Sequence, residues 1–502
     1  MRTRHRPAIR FGIVAGSVGL LASAAGCSSA PPAADARFLA EWMETHYALA
    51  RVERASPPVV SRVLAYSAVA LYEGLVPGSP TLRTLAGQLN GLERLPEPER
   101  GKTYDWPIVA VAAETTVLGT LYAEGFSSTK VAIAELAHAH IAARTAQGVS
   151  RTVRERSEAY GAQLGKAITE WAATDGFLDT RGRPYTLPQG RQYWVNTSTE
   201  DQYIPQSISA ASDIVSFENP AAMFEPSIYN ERAILINRPK LPGTRTLPSV
   251  SPLGATEPYW GELRPFALRS ADECAPPPPA PYEEYSASDF DRQVTSEDSH
   301  WAFYKQVKAV YDVSKALTED QWQIALFWAD NPGQTGTPPG HWVSIMSQLV
   351  EQLHLDVDQA AEMFALTAVG MADAFISCWR EKYRSHVVRP VTAIRRFIDP
   401  SWQTTLVTPP FPEYTSGHSV QSAAAAEVLT GLFGDVPFSD NTHVSLGHPV
   451  KRFASFRAAA EEAAISRLYG GIHYPMAIDN GVAQGRCIGR KVIERVKTRR
   501  SP

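Results

Sequence analysis

The chain has 502 residues, 44% of them apolar and 20% charged, with a formal net charge of −4. That is an ordinary globular composition, long enough for one large domain or two packed ones. It shows no internal repeat, no coiled coil and no basic stripe, and so excludes nucleic acid as a partner.

The first residues read as a unit of their own. Arg2, Arg4, Arg6 and Arg10 form a positive start without an acidic residue, and an apolar stretch follows from Phe11 to Ala25. It is too short for a stable membrane span. It ends in Ala24-Ala25-Gly26-Cys27, similar to a bacterial lipobox. Residues 1–26 are therefore expected to be a signal peptide, with Cys27 lipidated, and the mature chain exported and held to the membrane by a lipid anchor only. No second long apolar run is expected beyond Cys27. Cys274, Cys378 and Cys487 fit no zinc spacing and leave room for one disulfide, unassigned.

From residue 36 to about 175 apolar residues recur at three- and four-residue spacing, predicting helices over 38–52, 59–75, 106–122, 129–146 and 153–173. From 176 to about 282 Pro, Gly, Ser, Thr and aromatics dominate, predicting irregular structure packed over a helical body. Helical periodicity returns from 286 to 493 and is clearest over 357–383. The fold class expected is all-α: two packed helical bundles, an N-terminal half (27–175) and a C-terminal half (286–502), with an irregular Pro/Gly-rich cover (176–285).

Three short segments carry chemistry. In the first, Lys382 and Arg389 stand seven residues apart, followed by Pro390. On one helix that is nearly two turns, so both cations are expected on one face, suited to a multiply charged oxyanion. In the second, prolines 409, 410 and 412 around Phe411 run into Glu413-Tyr414-Thr415-Ser416-Gly417-His418 and an Ala-rich stretch. Thr415 or Ser416 is the expected cap of a helix whose free N–H groups and positive dipole end would cradle an anion. Gly417 would allow close backbone approach, and His418 could exchange protons with a bound group. In the third, Arg467 and His473 flank a break between a helix ending at Gly470-Gly471 and one beginning at Pro475. His138 and His140 share no helix face, Glu461 and Glu462 read as a solvated face, and His386 has no assigned place.

Taken in order, Lys-x6-Arg-Pro, Ser-Gly-His and Ser-Arg-x5-His resemble the three-part signature of vanadium-dependent haloperoxidases and type 2 phosphatidic acid phosphatases. The segments 257–266, 327–332 and 340–342 resemble the bacterial haloperoxidase-like branch, whose fold is two helical bundles. By that resemblance His473 would hold vanadate through a ring nitrogen. Lys382, Arg389, Arg467, Ser416 and the Gly417 N–H would neutralise its oxygens, and His418 would be the acid–base residue. Lys382 would polarise hydrogen peroxide before halide attack. Phe411 occupies a halide-pocket position that is Phe in fungal chloroperoxidases and His in algal bromoperoxidases.

Two alternatives stay open. In a phosphatase, phosphate would occupy the site and His473 would carry the phosphoryl group from a phosphate ester. The third possibility is a non-catalytic anion-binding lipoprotein, and an oligomer is compatible with all three. Two departures from the family pattern stand out. Thr415 replaces the usual Pro, with an expected effect on cap rigidity only. Ala477 replaces an Asp that often supports the ligand histidine, and Asp479 is a doubtful substitute. Losing such a partner lowers metal-site affinity by ~10–100-fold.

Overall fold

The computed structural model describes residues 32–180, 183–197, 255–282 and 302–500. The signal segment, Cys27 and much of the expected cover lie outside the described residues. Within them the chain is all-α. The first half contributes α1 (Arg37–Glu53), α2 (Pro57–Leu75), α3 (Trp106–Leu121), α4 (Ser127–Ala146), α5 (Arg151–Ala172) and the single turn α6 (Phe177–Thr180). The second contributes α7 (Ala302–Lys315), α8 (Glu319–Phe327), α9 (Thr337–Gln352), α10 (Val357–Ser385), α11 (Pro390–Phe397), α12 (Gly417–Phe433), α13 (Phe456–Tyr469) and α14 (Pro475–Arg495). A two-stranded antiparallel sheet, β1 (Phe438–Asp440) and β2 (Lys451–Phe453), joins α12 to α13.

Local chemistry starts these helices where they start. Asp105 accepts the Ile108 N–H at the head of α3. Capping boxes pair Thr318 with Gln321 and Asp356 with Gln359 at the heads of α8 and α10. The core then runs through both halves without a gap: α10 packs on α2 and on α12, and α9 packs on α1. Helices so placed must be apolar all round. Residues 57–78 and 357–385 accordingly reach a mean hydropathy of 1.4, long and apolar enough to cross a bilayer, yet those windows are wholly buried. The expectation of no long apolar run after Cys27 is thereby corrected, because two interior helices need one each.

Residues 255–282 lie over α10 as irregular chain. The buried Asp373 carboxylate of α10 accepts the N–H groups of Phe266, Ala267 and Leu268 at 2.6, 2.8 and 2.9 Å. A Cys274–Cys487 disulfide ties this strap to α14, and Cys378 is a buried free thiol.

A glycine seam aligns the ends of α12 and α14. Gly481, Gly485 and Gly489 recur every fourth residue along α14 and face α12. A Cβ at Gly485 would stand 2.1 Å from the Val420 carbonyl oxygen, so only glycine permits this approach. The close packing brings the N-terminus of α12 beside the start of α14, where the Ser416 N–H donates to the Ala477 carbonyl at 3.0 Å.

Candidate active site

Seven residues singled out in the sequence converge where α10, α12, α13 and α14 begin or end. Lys382 is fully buried near the end of α10. Its helix stops at His386, which takes the left-handed backbone conformation, and Arg389 is the N-cap of α11. Lys382 and Arg389 are therefore not two turns along one helix, as their spacing suggested. Pro390 disfavours helical backbone at Arg389, so the chain must turn between them. They meet instead over the Phe411 ring, Lys382 Nζ at 5.1 Å and the Arg389 guanidinium at 5.0 Å from its centroid. Phe411 in turn packs on Trp379, ring centres 4.9 Å apart.

Lys382 has three N–H donors, and three carbonyls take them: Pro412 and Glu413 at 3.0 Å each, and Thr415. Burial pushes its pKa down to about 7. Ser416 is the N-cap of α12 and accepts the Ser419 N–H at 3.3 Å, leaving Gly417 and His418 in the first turn. Thr415 does more than stiffen the cap, since its hydroxyl donates to Gln484 of α14 at 2.7 Å. Arg467, buried near the end of α13, donates to Ser466 Oγ at 2.9 Å and to the carbonyls of Trp328 and Ala325. Burial lowers its pKa to about 10.

His473 lies beyond the α13–α14 break, where Gly471 adopts φ +71°, a value L side chains rarely take. Its ring state follows from its neighbours. Arg389 Nη1 is 3.1 Å from Nε2 and can only donate, so Nε2 must carry a lone pair. The ring proton therefore sits on Nδ1 and is given to Glu413 Oε1 at 2.8 Å. The same oxygen accepts the Tyr474 N–H at 2.9 Å. Burial and the charges of Arg389, Lys382 and Arg467 hold His473 well below its ordinary pKa, and burial raises Glu413 to about 7.

The carboxylate that orients His473 is thus Glu413, not a residue of α14. Ala477 is buried and Asp479 is exposed. Sequence reasoning missed Glu413 although it stands in the second motif, because the bond spans 60 residues. It also missed Asp330, whose carboxylate lies 3.7 Å from His418 Nε2. Burial and Arg467 lower His418 to about 4. A small cavity of about 50 Å³ opens between these groups, lined by His418, Gly417, Arg467, His473, Asp330 and Phe411 among others. Lys382, Arg389 and Ser416 do not line it. They brace the groups that do.

Other expectations resolve simply. His386 stacks near Tyr185, away from the cavity. His138 is exposed, and His140 packs against Trp42 and Phe38. Glu461 is on the solvated face, but Glu462 is half-buried and accepts the Trp328 indole N–H at 2.9 Å, so that expectation holds for one of the two.

The cavity is thus bordered by the buried Arg467 guanidinium, the N-terminus of α12 and the unprotonated imidazole edge of His473, with Lys382 and Arg389 set behind them. Comparison with known proteins narrows the class. Residues 362–502 match the family of the VCPO second helical-bundle domain. A solved structure described as the first bacterial vanadium-dependent iodoperoxidase superposes with a TM-score of 0.73 at 35% identity, covering 94% of this chain and 99% of that one. A holo-type bacterial vanadium-dependent chloroperoxidase shares the fold at 16% identity and a TM-score of 0.56, covering 89% and 93%. The vanadium chloroperoxidase of Curvularia inaequalis is 26% identical over 217 aligned residues, and the chain spans about a third (36%) of that relative's length. The chain belongs to the vanadium-dependent haloperoxidase family.

Proposed function

We propose that this protein is a vanadate-dependent haloperoxidase that uses hydrogen peroxide to oxidise a halide. The observation that carries this reading is the state of His473: its Nδ1–H is clamped by Glu413, and its Nε2 is unprotonated, its lone pair turned to the Arg389 guanidinium. A buried histidine with its second nitrogen held by a carboxylate is the usual arrangement of a metal-ligating imidazole. The residues present fit the group. A cavity of about 50 Å³ exceeds the ~10–15 Å³ one water needs and suits a small oxyanion. Arg467 and Arg389 carry full guanidinium charge, and the first turn of α12 offers free N–H groups.

His473 would hold vanadate. Arg389, Arg467 and the Ser416–Gly417 turn would neutralise its oxygens, and a bound anion would compete with loop carbonyls for Lys382. When bound, vanadate supplies Lewis-acid activation of peroxide without changing its own oxidation state. His418, beside Asp330 and at the cavity wall, would take or give the peroxide and product protons. Phe411, Trp379 and Phe375 wall the cavity with aromatic surface that suits a weakly hydrated halide. We also propose export through residues 1–26 with an anchor at Cys27. The Cys274–Cys487 disulfide supports an oxidising compartment.

The test is a paired assay on the purified chain, with and without added vanadate. One arm follows peroxide-dependent halogenation of a phenolic dye, and the other follows hydrolysis of nitrophenyl phosphate. The reading predicts vanadate-dependent halogenation. Phosphate ester hydrolysis inhibited by vanadate, without halogenation, would contradict it.

A further inference from the structure

Beside the site, and sharing Asp330 with it, lies a second buried cluster drawn from three elements. His341, on α9, is fully buried. Its Nδ1 lies 3.0 and 3.1 Å from the two oxygens of Asp330, and its Nε2 lies 2.9 Å from Asp440 Oδ2 on β1. An ionised carboxylate only accepts, so a ring bonded at both nitrogens to carboxylates must donate from both. We infer that His341 is a buried imidazolium that acts as a positioning residue, fixing the Asp330 carboxylate against His418 and so setting the protonation of the acid–base histidine. Its consequence for catalysis rests on the reading of His418 given above.

Four observations support this. Asp330 and Asp440 are both buried, and a buried charge without a counterion is strongly disfavoured. A charged His341 supplies that counterion to both. Trp328 stacks on the His341 ring at 4.3 Å and 22°, a face that favours a cation. Asp330 stands at φ +48°, a conformation that persists only when its surroundings hold it, and His341 is what its carboxylate grips. Burial opposes the charge on His341, yet Asp330 and Asp440 outweigh it and hold its pKa up to about 10.

The charged and titratable groups facing His418 are Asp330 from the loop after α8, His341 from α9, Arg467 from α13 and, across the cavity, His473. His443, from the β1–β2 connection, faces Asp330 Oδ1 with Nε2 at 3.5 Å while its Nδ1 donates to the Phe327 carbonyl. With His341 charged and the Arg467 guanidinium near, Asp330 is compensated and needs no proton on His418. Without that charge, the imidazoles left to Asp330 are His418 at 3.7 Å and His443 at 3.5 Å, and of the two His418 faces the cavity. Removing the His341 charge should therefore raise the pH at which His418 gains its proton.

The experiment is a pH titration by NMR of the full chain carrying ¹⁵N-labelled histidine, with the His418 signal identified by its loss in His418→Gln. The His341 signal, identified likewise by loss in His341→Gln, should show both ring nitrogens protonated through neutral pH. A bare nitrogen there at pH 7 would overturn the inference. In His341→Gln the His418 midpoint should rise by about one pH unit or more. Because that variant strands Asp440 and can fail to fold, His341→Gln with Asp440→Asn is measured beside it. The pair leaves only Asp330 charged and should show the same shift. An unchanged His418 midpoint in the folded variant contradicts the proposal. These readouts need no turnover, so a chain without haloperoxidase activity would sink the proposed function and leave this inference separately tested. If halogenation is present, its limb governed by His418 should move with the NMR midpoint.

Discussion

Both halves of the molecule bury a histidine against a carboxylate, with opposite results. In the first half His46 Nε2 lies 2.5 Å from Ser67 Oγ and 2.9 Å from Glu114 Oε1. These residues come from the middle of α1, α2 and α3, where every backbone N–H and C=O is used by its helix. The side chains therefore bond to one another, through His46 Nε2, Ser67 Oγ and Glu114 Oε1. In the second half His418 and His473 sit at helix starts, where N–H groups are free and the dipole end is positive. There the histidines have charged partners too, but they and Asp330 also line a cavity. Burial of a histidine with a carboxylate is thus compatible with a plain structural knot, and helix ends meeting at a cavity are what separate a binding site from one.

That contrast can be broken at several points. The largest effect is expected from His473→Ala, which should abolish vanadate-dependent halogenation in a chain whose circular dichroism is unchanged. Next, Glu413→Gln should weaken vanadate affinity ~10–100-fold in equilibrium dialysis, the loss typical of an orienting partner. Asp479→Asn should leave affinity where it is, and the reverse ranking would return the orienting role to α14. Gly485→Val drives a side chain into the Val420 carbonyl and should lower stability by about 1–3 kcal/mol in denaturant titration, with vanadate binding weakened as the α12 and α14 ends part. The smallest is Ser67→Ala, expected to remove about 1 kcal/mol of stability and nothing from the vanadate affinity of the folded protein. A matching loss of affinity there would erase the distinction between the two clusters.

Much of this was legible in the chain itself. Helices carried by strong periodicity, such as α2, α5 and α10, stand close to where spacing placed them. The three motif segments do converge, because helix caps and breaks are local signals: Ser416 as N-cap, Gly470-Gly471 as a stop, Pro475 as a start. What local signals cannot give is the partner across the fold. Glu413 finds His473 60 residues away, and His341 finds Asp440 99 residues away, through helix packing that no short spacing encodes. Lys382 and Arg389 misled for the opposite reason, since a spacing valid within one helix was applied across a helix end. The backbone before Pro390 was the available warning.

The role of His473 is tested by the stoichiometry of vanadate bound by the purified chain in equilibrium dialysis, wild type against His473→Ala. About one vanadate per chain is expected in the wild type and loss of tight binding in the variant, as for a single histidine ligand in one site. Equal binding by both, or none by the wild type, would contradict the claim that the unprotonated nitrogen of His473 is what makes this pocket a vanadate site.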